Sequence, residues 1–227
     1  GLVAISLAFF VMFSFMFTQM LHFQLVRGHT ALEAAIRFLP LPLGLMPAAA
    51  NSDKFVAKFG SNNVVATGLT LITAGMLLFT TVEIDTDYVR IALTFFLLGL
   101  GMGLTMAPST TLVMESIPED KAGVGSATND ASREVGGALG IAIGGSVLNE
   151  YYQRNLVVPE GLEAQSAVLT ESFPAAIQIG LEMGNMELIA NARLAFMDGM
   201  VASAMVSAGI ALMTAILVKL YMPGKTE

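Results

Sequence analysis

Long uninterrupted blocks of apolar residues are the feature that most limits what this chain can fold into. The blocks are roughly 18 to 25 residues long, which suits an α-helix that crosses a hydrocarbon layer of about 30 Å. Across the chain 55% of the residues are hydrophobic and 13% are Asp, Glu, Lys or Arg, whereas soluble domains carry roughly 25% charged residues. The sequence therefore predicts an all-α integral membrane protein.

The polar residues exclude several classes of function. The chain has no cysteine, and its two histidines, His22 and His29, lack a metal-binding spacing. The net charge is −7, and no cluster of Lys and Arg is present that could neutralise phosphates. No serine or aspartate stands in a recognisable nucleophile setting. We expect no enzyme activity, catalytic residue, metal, cofactor or nucleic-acid partner.

Six membrane spans are predicted, and together they would form a six-helix bundle. They cover residues 2–25, 34–50, 64–82, 89–114, 124–148 and 195–218, and a long outer loop covers 153–193. Thr30 and Glu33 form a capping-box pattern before the second span. Pro40, Pro42 and Pro47 remove backbone donors within that span, so we expect a bent helix packed in a bundle.

The basic residues predict the orientation of the spans. If the links 51–63 and 115–123 and the C-terminal tail share one side, that side holds Lys54, Lys58, Lys121, Lys219 and Lys225. The other side holds Arg27, Arg37, Arg90, Arg154 and Arg193, of which the last two lie in or beside the long loop. Since basic residues in short loops favour the cytoplasm, this small bias predicts a multi-pass protein of the plasma membrane with a cytoplasmic C-terminus.

Three charged residues, Asp130, Arg133 and Glu134, lie inside the predicted fifth span. A helix that enters hydrocarbon near Val124 places Asp130 about 9 Å deep and Glu134 about 15 Å deep, and its periodicity places all three on one face. In one interpretation Arg133 pairs with an acid and fixes the helix packing. In the other, the helix lines a water-filled pathway and one carboxylate binds and releases a proton. Because the span holds two acids and only one base, one acid is left unpaired, which favours the second interpretation.

Small residues and a proline predict where helices pack closely or bend. Glycines at intervals of about one turn allow the backbones of two helices to approach each other. The fourth span carries Gly99 and Gly103, and Pro108 should bend it. The fifth span carries Gly136, Gly140 and Gly144.

Three further polar residues are weaker site candidates. Gln19 and His22, near the end of the first span, are predicted to lie at the level of the membrane interface, where polar groups are tolerated. Asp198 is either an intramembrane acid or an acid at the start of the last helix, where the helix dipole favours it.

Three stretches carry a resemblance to a known family. They read GLGMGLTMAP over residues 99–108, IPEDKAGVGSA over 117–127 and REVGGALGIA over 133–142. With them, the chain resembles the major facilitator superfamily, specifically the EmrB/QacA-type fourteen-helix drug:proton antiporters. The stretch 99–148 is the specific part of the likeness, and the remainder matches in hydropathy and spacing.

The resemblance implies that the chain is the C-terminal half of a major facilitator superfamily fold, spans nine to fourteen. It implies proton-driven efflux of small amphipathic or cationic compounds, with the bilayer, protons and a missing N-terminal half as partners. Acids of the thirteenth helix are implicated in proton handling in that family, and Asp130 and Glu134 match them here. We also expect a fragment because Gly1 already lies inside an apolar run.

An alternative stays open at this point. A six-helix membrane subunit that is complete by itself could pair with a second copy and act as a channel or a scaffold.

Overall fold

The apolar blocks form long α-helices in the computed structural model of the chain, which describes residues 1–222 and 224. The described residues form helices and turns and contain no β-strand, which confirms the predicted all-α class. Lys225 lies outside the described residues. The helices are α1 (Leu2–Leu21, continued by a π-helix over His22–Val26), α2 (Ala31–Arg37), α3 (Pro40–Phe59), α4 (Ser61–Phe79), α5 (Tyr88–Glu115), α6 (Ala122–Asn155), α7 (Ser166–Glu171), α8 (Phe173–Met183) and α9 (Met186–Tyr221).

Five segments of the described chain are long and apolar enough to cross a membrane. They are Leu2–Val26, Ala31–Phe59, Ser61–Phe79, Tyr88–Glu115 and Met186–Tyr221. The predicted fifth span forms α6, which is 34 residues long but less apolar. Its charged residues and its many Gly, Ser and Thr residues lower its hydropathy. Because α6 packs along α1 and α9, it belongs to the same bundle.

The long helices form two layers. One layer contains α3, α5, α1 and α6 in that order, since α5 packs against both α3 and α1, and α1 packs against α6. The other layer contains α4 and α9, which pack against each other and against α5, α6 and α1. Apolar side chains of α1, α4, α5 and α9 form most of the core, to which α6 adds Leu148 and Tyr152 near its C-terminal end. The outer helices α3 and α6 therefore remain the least covered.

Glycines on α6 bring its backbone against α1. A Cβ atom on Gly136 would overlap the carbonyl oxygen of Ser6, and one on Gly140 would overlap that of Phe10. One turn further on, a Cβ on Gly144 would overlap the Ser14 hydroxyl. Hence α1 and α6 run side by side in the same direction, at a separation that only glycine permits.

A second close contact joins α5 to α3. Cβ atoms on Gly99 and Gly103 would collide with the carbonyl oxygens of Leu41 and Leu45. Pro108 is buried inside α5, which stays helical on both sides of it. These two glycines thus allow the outer helix α3 to pack closely against α5.

The second predicted span differs most from expectation, because it divides into two helices. The capping box of Thr30 and Glu33 is present and starts α2, but α2 ends at Arg37 and α3 begins at Pro40. Pro40 and Pro42 lie in the first turn of α3, where a missing N–H costs nothing. The prolines therefore start a new helix, and only Pro47 lies in a helix interior.

Two predicted connections are also shorter than expected. The link 51–63 is wrong as a loop, because α3 runs to Phe59 and α4 starts at Ser61. Gly60, with φ of 85°, makes the sharp turn between them. The predicted outer loop 153–193 covers only residues 156–185 and contains α7 and α8. It ends early because α9 begins at Met186, where the side chain of Asn185 caps the helix by accepting from the Leu188 N–H at 2.9 Å.

We predict that Gly136→Ala destabilises the protein by about 1–3 kcal/mol, the usual cost of overpacking a tight contact. Thermal unfolding of the intact protein in detergent would measure this as a lower midpoint. Gly123→Ala is the matched control, because a Cβ on this glycine of the same helix meets nothing within 4 Å. Equal midpoints for the two variants would contradict the close α1–α6 contact.

Candidate functional site

The helix α6 has a buried face and an exposed face, and its charged residues divide between them. From Gly125 to Gly144 the buried positions of α6 are glycines and one amide, Asn129, and only beyond them are the larger Leu148 and Tyr152 buried. Asp130 and Glu134 lie on the exposed face, one turn apart, while Arg133 is half-buried at the border. The two acids therefore point away from the other helices described here.

Arg133 joins α6 to two other helices. Its Nη2 donates to the Thr110 hydroxyl of α5 at 3.1 Å, and its guanidinium lies 5.6 Å from the centre of the Phe9 ring of α1. Its Nη1 lies 3.7 Å from Asp130 Oδ1, one turn earlier on α6. The cation is thus positioned by a hydroxyl and an aromatic face as well as by a carboxylate.

The two carboxylates are not equivalent. Asp130 lies beside Arg133 although its side chain is 67% exposed. Glu134 is exposed, and among the described residues it has no basic partner within 4.0 Å. A charge that faces hydrocarbon at depth costs about 3 kcal/mol or more. Glu134 therefore requires water, a proton or another protein segment beside it.

The remainder of this part of α6 is also polar. Ser126 and Thr128 are exposed near the acids, and the Ser6 hydroxyl of α1 donates to the Ser132 carbonyl at 2.8 Å. Asn129 is buried, and its Oδ1 accepts no hydrogen bond from the described residues. This polar composition suits contact with water better than contact with lipid.

A second polar site lies in α1, where the sequence predicted interface-level groups. Gln19 and His22 are both fully buried between the helices. His22 Nδ1 and Gln19 Oε1 form a hydrogen bond of 3.0 Å at the start of the π-helix. Gln19 Nε2 and His22 Nε2 have no partner in the described part of the chain. Sequence spacing gave no sign of this burial, since polar residues near a span end usually face the interface.

Asp198 does not lie at the start of a helix. It falls in the second third of α9, is exposed, and accepts a hydrogen bond from Asn155 Nδ2 at 3.0 Å. Because α9 begins at Met186, the helix-start interpretation is wrong. The contact joins the C-terminal end of α6 to α9.

Metal binding gains no support from the described residues, since no group of three or more His, Asp or Glu side chains there could hold an ion. Thr110 and Phe9, the partners of Arg133, were not predicted. They lie far from Arg133 in sequence, and neither residue type marks a site by itself.

The comparison with known proteins identifies the family. The Major Facilitator Superfamily profile matches residues 1–141, which is more than half of the chain. The chain belongs to the Major Facilitator Superfamily. The proteins of this superfamily are transporters rather than enzymes.

A solved structure of the same superfamily shows the same fold. The E. coli fucose:proton symporter FucP aligns with a TM-score of 0.66 at 16% identity, over 99% of this chain and 48% of that chain. This likeness concerns the arrangement of the helices.

Two curated relatives have names that describe drug export. The multidrug efflux pump LfrA of Mycolicibacterium smegmatis is 28% identical over 201 residues, which cover 87% of this chain and 40% of the pump. The multidrug transporter protein MdtP of Bacillus subtilis is 30% identical over 122 residues, or 54% of this chain and 23% of MdtP. The chain thus spans about two fifths or less of the length of these relatives.

We predict a measurable coupling between Gln19 and His22. His22→Leu leaves the buried Gln19 amide without its partner and should lower the free energy of unfolding by about 1–3 kcal/mol. The double variant Gln19→Leu/His22→Leu removes both polar groups and should lose less than the sum of the two single variants. A double-mutant cycle by thermal unfolding would measure the coupling, and strictly additive effects would contradict the buried pair.

Proposed function

We propose that this chain is the C-terminal half of a proton-coupled exporter of small amphipathic or cationic compounds. The observation that carries the proposal is the pair of carboxylates on the uncovered face of α6, of which Glu134 has no basic partner among the described residues. Two findings support it: the membership in the Major Facilitator Superfamily and the drug-efflux names of relatives such as LfrA.

The missing half would cover the outer side of the layer formed by α3, α5, α1 and α6. The two outer helices of this layer expose large apolar side chains, among them Leu43 and Met46 of α3 and Val135 and Leu139 of α6. Together with eight further spans, this six-helix half would complete a fourteen-helix transporter. Cargo would bind near the middle of the membrane between the halves, and rocking of one half against the other would give alternating access.

Glu134 and Asp130 would alternate between protonated and charged forms during this cycle. When the pathway opens to water, a carboxylate can release its proton. When the pathway closes, desolvation favours the neutral carboxyl group. Arg133 Nη1 lies 3.7 Å from Asp130 Oδ1, whereas Glu134 has no basic partner among the described residues. We assign the role of proton carrier to Glu134, because it is the acid of this pair without such a partner.

The proposed orientation places the C-terminus in the cytoplasm and the protein in the plasma membrane. The hydrogen bond from Lys219 to Asn63 brings the end of α9 next to the turn between α3 and α4, so Lys54, Lys58 and Lys219 lie at the same end of the bundle. At the other end, Arg27 Nη2 donates to the Thr86 carbonyl at 2.6 Å. The lysine-bearing end would be the cytoplasmic one.

We predict that Glu134→Gln abolishes proton-coupled efflux without changing the folding of the protein. The amide has nearly the same shape as the carboxyl group but cannot lose a proton, so pH-driven export in proteoliposomes should fall at least about tenfold. Thermal unfolding of the variant should match that of the wild type, because Glu134 is exposed.

Glu150→Gln is the matched control. Glu150 lies on the same helix, but its Oε1 pairs with Arg154 Nη2 at 2.6 Å in the outer part of α6, so efflux should be retained. Full pH-driven efflux by Glu134→Gln would contradict the assignment of Glu134 as the proton carrier. Loss of efflux in both variants would show that the result is not specific to the proposed site.

A further inference from the structure

Two apolar grooves lie on the two sides of α4, at the end of the bundle that carries the lysines. The first groove, of about 480 Å³, lies between α4 and α9. Its walls are mostly apolar and include Leu71, Leu212 and Ile216, with Lys219 at one end. The second groove, of about 320 Å³, lies between α4 and the helices α3 and α5, and its walls include Phe55 and Leu104.

The two grooves meet at shared residues. Asn63 and Thr67, one turn apart on α4, line both of them. From Asn63 to Thr70 the first groove follows α4 for seven residues, or about 11 Å along the helix axis. The pair thus forms a forked apolar surface that starts at Asn63 and continues toward the middle of the membrane.

Positive charge is concentrated where the grooves meet. Lys219 Nζ donates to Asn63 Oδ1, and Asn63 Nδ2 donates to the Phe59 carbonyl at 2.7 Å. Lys58 Nζ lies 5.1 Å from the centre of the Phe59 ring, and Phe59 lines the second groove. The helix α4 also begins here, after Gly60, so its N-terminal partial positive charge points to the same place.

We propose that this surface binds an anionic phospholipid, with the phosphate between Lys58 and Lys219 and one acyl chain in each groove. The occupant is a lipid because the two grooves are apolar, lie on helices that cross the membrane, and end together at a cationic site. The only acid on α3, Asp53, lies more than one turn before Lys58, and the two lysines complement a phosphate group.

The position in the membrane fits this occupant as well. The first groove lies in the layer of α4 and α9, on the opposite side of the bundle from the face proposed to meet the second half. The lysine-bearing end is the one proposed to be cytoplasmic, and the cytoplasmic leaflet holds the anionic lipids that attract basic residues near the membrane surface. The lipid would join α3, α4 and α9 at the end where only Gly60 separates α3 from α4.

The test compares lipids that differ only in the headgroup. The intact protein is freed of lipid in detergent, and binding of phosphatidylglycerol and of phosphatidylcholine with identical acyl chains is measured by native mass spectrometry. The proposal predicts at least about tenfold tighter binding of phosphatidylglycerol, since each lysine near the surface strengthens binding several-fold. Lys58→Gln/Lys219→Gln should bind both lipids equally. Equal affinity of the wild type for the two lipids would overturn the proposal.

Lys54→Gln is the matched control. Lys54 lies one turn before Lys58 on α3, but its Nζ donates to Asn51 Oδ1 at 3.2 Å, away from Phe59 and the grooves. The Lys54→Gln variant should prefer phosphatidylglycerol as strongly as the wild type does. If Lys54→Gln loses the preference as strongly as the double variant, only general surface charge acts and the assigned site is wrong.

A second variant tests the grooves rather than the charge. Thr67→Trp places a large side chain at the residue that both grooves share, and it should weaken phosphatidylglycerol binding at least about tenfold while both lysines remain. Glycerol 3-phosphate, which has the phosphate without acyl chains, should not displace the lipid at the same concentration. Unchanged binding by Thr67→Trp, or full displacement by glycerol 3-phosphate, would show binding of the headgroup alone and refute the grooves.

Discussion

A charged side chain on a membrane helix must have a partner, a proton or water, and α6 meets this requirement differently for each of its charges. Arg133 is held by the Thr110 hydroxyl, the Phe9 ring and the nearby Asp130 carboxylate. Glu134 faces outward, with no basic partner near it in the described residues. The cation is thus partnered within the bundle, and the uncovered acid is the ground for proposing a hydrated pathway along this face of α6. The proposal of proton coupling depends on this difference.

The glycines of α6 make the arrangement possible. Since Gly136 and Gly140 allow the α6 backbone to touch the carbonyl groups of α1, the helix is anchored by backbone contact and does not need large apolar side chains on that face. Its opposite face is then free to carry polar and charged residues. The same helix can therefore be less apolar than its neighbours and still pack in a membrane bundle.

The sequence predicted the class of fold and the candidate acids, because both depend on local patterns. Apolar blocks of the length of a membrane span specify helices, and helical periodicity places Asp130 and Glu134 on one face. The division of the second span was not predictable from composition, since Pro40 can bend a helix or start one, and the choice depends on how the ends pack. The partners of Arg133 and the burial of His22 arise from contacts between distant segments, which no spacing along the chain encodes.

The measurement that tests the central claim most directly is the water accessibility of the acidic face of α6. The 227 residues contain no cysteine, so single cysteines at Asp130 and Glu134 can be probed in an intact protein that carries no other cysteine, with a charged thiol reagent that does not enter hydrocarbon. Met213 of α9, which is 63% exposed on a helix of the other layer, supplies the lipid-facing reference. The account predicts that cysteines at 130 and 134 react at least about tenfold faster than one at 213, because a charged reagent partitions poorly into the bilayer. Equally slow reaction at all three positions would place the acids in lipid or in dry packing and contradict the hydrated pathway.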